Sequence, residues 1–223
     1  MDLSGVLIQV SILAIPLLCA ITLHEVAHGW VARLHGDRTA EAQGRLSLNP
    51  LRHVDPVGTV LLPAAQLLLL HGVYFGWAKP VPVNPRFLRH PRTDMAKVAA
   101  AGPGANLLMA IFWALVMMLA ARVALPGSAN DWLAAMGRAG IQINILLAAF
   151  NLLPIPPLDG GKVLAGVLPA GSLRSGLERL EPYGFMIVLL LIVTDRYTHI
   201  LSIVLWPLAA LIQLIVRAVT GNL

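Results

Sequence analysis

The chain has 223 residues, 57% of them hydrophobic and 12% charged, with a mean hydropathy of +0.76 and a formal net charge of +5. So apolar a composition excludes an ordinary water-soluble domain and points to a protein that crosses a membrane several times. The basic residues sit in loops, where they set membrane orientation, and no nucleic-acid partner is expected.

The first segment, "MDLSGVLIQVSILAIPLLCAITL", opens with Asp2 and lacks the basic start and small-residue cleavage site of a secretory signal, so it is expected to be retained. Cys19 within it is the single cysteine and reads as a small apolar residue. A spanning helix needs about 20 apolar residues. That rule predicts spans at about 5–23, 98–121, 137–158 and 183–219, the last divided by "TDRYTH" (194–199) into a hairpin of two short spans.

A further apolar run at 57–77 is interrupted by Pro63, Gln66, His71, Gly72 and Gly76 and is expected to enter the membrane without crossing it. The loop "RLHGDRTAEAQGRLSLNPLRHVDP" precedes it. "AKPVPVNPRFLRHPRTD" follows, and its prolines keep it out of helix, as an extended loop or edge strand. The expected fold is therefore an all-α polytopic membrane protein: about five spanning helices, one re-entrant element at 57–77, and short extended or β segments in the cytoplasmic-side loops. It is read as one domain over 1–223, with a catalytic core at about 5–168 and a C-terminal helical hairpin at about 183–220.

The chemistry concentrates in "ITLHEVAHGW". Residues four apart lie on one face of a helix, so His24 and His28 can aim two imidazoles at one metal ion, with Glu25 beside it to take a proton from water. Ionisable groups beside a membrane span are costly and functional by default. A catalytic zinc takes a third protein ligand. The best candidate is Asp159 in "FNLLPIPPLDGGKVL", where Pro154, Pro156 and Pro157 break the preceding helix and a helix N-cap role is also open. The other acids sit in polar loops, and His35, His53, His71, His90 and His199 have no matching ligand spacing.

His24-Glu25-x-x-His28, "GPGAN" at 102–106 and "NLLPIPPLDGG" at 151–161, with "NPLRHVDPVGT" and "FGWAKPVPVN", resemble the site-2 protease family of intramembrane zinc metalloproteases. The likeness is to its small members without an appended domain. It implies one Zn2+ per chain on His24, His28 and Asp159, and Glu25 as catalytic base. It sets Asn106 and Asn151 at the substrate or its carbonyl, with hydrogen bonding between helices as the competing use. Gly102, Pro154 and Gly160 are expected to be structural residues near the site.

The partners implied are transmembrane protein or peptide substrates and the lipid bilayer, with homo-oligomerisation left open. The expected location is a prokaryotic cell (inner) membrane, multi-pass, with the active site near the cytoplasmic side. The alternatives are an inactive metal-binding scaffold, which leaves Glu25 unexplained, and an ion-coupled transporter, whose usual internal repeat is absent from the sequence. For one ion to meet both His24 and Asp159, the helices before them must run parallel.

Overall fold

The computed structural model describes residues 3–62, 65–66, 76–123 and 129–220. The described residues form helices and no strand: α1 (Leu3–Leu34), the single turn α2 (Thr39–Ala42), α3 (Pro91–Arg122), α4 (Ala129–Asn151), α5 (Asp159–Val167), α6 (Ser172–Leu180), α7 (Gly184–Thr198) and α8 (Ile200–Thr220). Four helices are long and apolar enough to cross a membrane: Val10–Leu34, Pro91–Arg122, Ala129–Asn151 and Ile200–Ala218. The protein is thus all-helical and polytopic.

Helix limits differ from the hydropathy reading for local reasons. No Gly–Pro break follows Leu23, so α1 runs on through the His motif to Leu34 instead of ending before it. Pro91 stands in the first turn of α3, where its missing N–H and fixed φ cost nothing, and the helix starts there rather than at 98. Prolines 154, 156 and 157 end α4 at Asn151, not 158. The C-terminal run divides at His199 into α7 and α8, and α7 has 15 residues, about 22 Å, short of a hydrocarbon core of about 30 Å. Much of the run at 57–77 lies outside the described residues.

α1, α3 and α4 pack on one another, with α5 against α3 and α8 against both α3 and α4. Small residues make this possible: Ala110 and Ala114 of α3 meet Ala148 and Ala149 of α4 and Ile212 and Val216 of α8. Gly140 of α4 takes the Trp113 ring so closely that a Cβ there would lie 2.5 Å from Cδ1.

The loops are tied by Asn and Asp side chains. Asn49 and Asn84 each precede a proline and accept from the backbone two residues on (Leu51 N–H at 3.0 Å, Arg86 N–H at 3.1 Å), opening one-turn 3-10 helices. Residues 79–84 form no helix and pair with no strand. They are fixed from outside: Lys79 N–H donates to the His53 carbonyl, Arg45 donates to the Lys79 carbonyl at 2.8 Å, and Asn84 N–H donates to the buried Asp37 at 2.6 Å. This segment crosses the C-terminal half of α1 at Gly29, where a Cβ would stand 2.8 Å from Val81 Cγ1.

Candidate active site

His24 and His28 stand one turn apart on α1, and Asp159 is the first residue of α5. Their three inner atoms form a near-equilateral triangle. His24 Nε2 is 3.1 Å from His28 Nε2, and Asp159 Oδ2 is 3.3 Å and 3.2 Å from the two. A tetrahedral zinc with ligands at about 2.0–2.1 Å sets its ligand atoms about 3.3–3.4 Å apart, so the triangle has the size of one face of such a site.

The hydrogen bonds behind the rings say which nitrogen is bare. His28 Nδ1 lies 2.7 Å from the Val98 carbonyl, which can only accept, so Nδ1 carries the proton. His24 Nδ1 lies 2.6 Å from Asn106 Oδ1. The orientation of that amide is set by its other end, where Asn106 Nδ2 donates to Asn144 Oδ1 at 3.0 Å and to the Ala20 carbonyl at 3.4 Å. Both Nε2 atoms therefore turn lone pairs inward. Asp159 Oδ2, buried between them, accepts no hydrogen bond. Three acceptor atoms converging without a donor are a cation site, and the donor set of two imidazoles and a carboxylate suits zinc.

α3 closes the other side. A Cβ on Gly102 would lie 2.5 Å from His24 Cε1 and nearer still to His28 Nε2, so only glycine leaves room for the rings. Pro103 follows it inside the helix and removes a backbone donor from that turn. The Val98 carbonyl just before this turn is the one that accepts from His28. In the reversal between α4 and α5, a Cβ on Gly160 would collide with the Leu152 carbonyl, while Pro154 is exposed.

Glu25 is held from the loop side: its Oε2 accepts the Val81 N–H at 2.7 Å. Asn151 stays apart, its amide donating at 3.0 Å to the Leu147 carbonyl one turn back in its own helix. Among the other histidines, His35 and His90 flank Asp94, at 3.2 Å and 3.6 Å, where Lys97 already pairs, and His53 donates to the Ser47 carbonyl. None joins the triangle. His71 is outside the described residues.

Three participants escaped the sequence reading. Asn144 is fully buried, bonded to Asn106 and donating to the Gly140 carbonyl at 2.8 Å. Its signal was available, as an amide inside the apolar run "GIQINILL". Val81 and Val98 act through backbone groups, which leave no trace in residue type.

The chain matches the model of peptidase family M50 over residues 12–136 and 127–194. It is 42% identical over 198 residues to the Bacillus subtilis protein named "Putative zinc metalloprotease YwhC", spanning 88% of this chain and 84% of that one. The similarly named Rip2 of Mycolicibacterium smegmatis is 33% identical over 180 residues, 79% of this chain and 64% of its own. MJ0611 of Methanocaldococcus jannaschii, of the same description, is 44% identical over 71 residues, 32% of this chain and 34% of its own. No solved structure matches it.

Proposed function

Because this chain belongs to peptidase family M50, we propose that His24, His28 and Asp159 hold its zinc and that Glu25 is the base for hydrolysis of peptide bonds in or near transmembrane segments. The protein is a zinc-dependent intramembrane metalloprotease, multi-pass in the bilayer. The observation that carries the site assignment is the triangle of Nε2, Nε2 and Oδ2, empty of hydrogen and of zinc-face dimensions.

Held by His24, His28 and Asp159, zinc would supply the Lewis acidity that makes water a competent nucleophile at neutral pH. Glu25, fixed through Oε2 by the Val81 amide, takes a proton from the attacking water on its other oxygen. Hydroxide adds to the carbonyl carbon, the C–N bond breaks, and Glu25 returns the proton to the leaving amine. The Val98 carbonyl and Asn106 keep the two imidazoles in one tautomer and one orientation. With no exposed surface and every polar atom bonded, Asn106 acts on His24 rather than on substrate; Asn151, partly buried near the α4–α5 reversal, is the amide left for substrate.

A helical substrate hides its carbonyls in hydrogen bonds and must unwind first. The segment 79–84 passes beside Glu25, and the unwound stretch would lie along it. A re-entrant course for 57–77 would bring its two described ends together beside this segment. In support, its two ends are bonded together: Trp77 N–H donates to the Gly58 carbonyl at 3.1 Å and Thr59 Oγ1 donates to the Trp77 carbonyl at 2.8 Å. Arg33, Arg38, Arg45, Arg52, Arg86 and Arg89 crowd the loops on the site's side, which sets that side toward the cytoplasm of a prokaryotic cell.

The test is zinc stoichiometry in detergent-purified protein. Wild type should hold close to one zinc per chain, and Asp159→Ala should lose it or bind it far more weakly; equal zinc in both would remove Asp159 from the site. Asn106→Leu should weaken zinc by about 10–100-fold in a chelator competition, by freeing the His24 ring. Asn106→Asp keeps an acceptor for Nδ1 but turns a second oxygen toward Asn144 Oδ1 and the Ala20 carbonyl, so it should recover only part of that loss. If both variants bind zinc like wild type, the amide is only packing between helices.

A further inference from the structure

Away from the metal triangle the molecule holds a second polar concentration. Arg138 and Gln142 are one turn apart on α4, and Gln213 and Arg217 one turn apart on α8. All four line one cleft of about 170 Å³, whose wall on α3 is Ala114 and Met117. Ala114 is 12 residues beyond Gly102, so the cleft lies about 18 Å along α3 from the histidines.

Arg138 falls within the span Ala129–Asn151 and Arg217 near the end of the span Ile200–Ala218. Both side chains are exposed, and among the described residues no carboxylate comes within 4.0 Å of either guanidinium. Asp131 is the acid on the same helix, two turns earlier, and α8 carries none. Unpaired arginines within spans are costly and call for an anionic partner. Their place also runs against the charge bias, since the other basic residues gather mainly at the opposite end of the bundle.

We propose that this α4–α8 cleft binds the headgroup of an anionic phospholipid. Guanidinium forks match the paired oxygens of a phosphodiester, and two converge here with two carboxamides to complete the donor set. The aliphatic wall at Ala114 and Met117 suits the start of the acyl chains. Basic pockets between spanning helices bind such headgroups on the cytoplasmic side, and this cleft would be a counterpart at the other end of the bundle.

The test uses the full chain, purified in neutral detergent and stripped of lipid, with dioleoyl-phosphatidylglycerol titrated in and bound lipid counted by native mass spectrometry. Wild type should retain one phosphatidylglycerol per chain and hold phosphatidylcholine at least tenfold more weakly. Arg138→Gln with Arg217→Gln should lower phosphatidylglycerol retention at least tenfold while zinc content and helical circular dichroism stay as in wild type. Should that variant fail to fold, Arg138→Lys with Arg217→Lys keeps the charge without the fork and should bind in between. Equal retention by wild type and variant, or equal binding of phosphatidylcholine, overturns the proposal. So does displacement of the lipid by equimolar inorganic phosphate, which makes the cleft a free-anion site, or a dimer peak in place of a lipid adduct, which makes it a contact between copies.

Discussion

Glu25→Gln is expected to cut peptide hydrolysis by about 10²–10⁴-fold while the protein keeps its zinc. The substitution changes one atom in shape and leaves an oxygen that can still accept the Val81 N–H, so the loop at 79–84 stays in place. What it removes is the ability to take a proton. The measurement is single-turnover cleavage of a transmembrane reporter in proteoliposomes, with metal content determined on the same preparation. Retained cleavage would take the base role from Glu25, and lost zinc would make it a support of the metal face instead. A transporter or inert scaffold predicts no loss specific to this change, so the experiment also separates the enzyme from both rivals.

The second large effect belongs to a residue without a side chain. Gly102→Ala places a methyl group against both imidazoles, and neither can retreat without giving up its bond to Asn106 or Val98. Overpacking at such a point costs about 1–3 kcal/mol in stability. The metal suffers more, since two of its ligands are displaced together: zinc affinity should fall by more than about 100-fold, beyond what loss of one orienting partner brings. Gly104→Ala is the control, because a Cβ there meets nothing within 4 Å. Two glycines flanking one proline should therefore answer the same substitution in opposite ways, by chelator competition and by thermal unfolding. Equal behaviour would mean that α3 shifts freely over the histidines.

What the sequence could disclose follows from how each residue acts. The pair His24 and His28 was legible because ligand geometry maps onto a four-residue spacing, and Asp159 because it is a carboxylate ending an apolar run behind a proline-broken helix, although an N-cap role would have left the same trace. That 79–84 is kept out of helix was legible from its prolines. The tautomer of each imidazole was not, because it depends on the Val98 carbonyl and on an amide chain from Asn106 to Asn144 that exists only once α1, α3 and α4 have packed. Helix limits were misjudged where hydropathy was used alone. His24 and Glu25 look like the end of a span, yet nothing in the backbone chemistry stops a helix there, and α1 continues for ten residues beyond His24.

The metal triangle joins two parts of the chain that are made at different times. His24 and His28 leave the ribosome with the first span, while Asp159 follows His28 by 131 residues, after two more spans. On the assignment proposed above, a nascent chain carries the base and two ligands before the third, and its zinc site is complete only once α5 has been made.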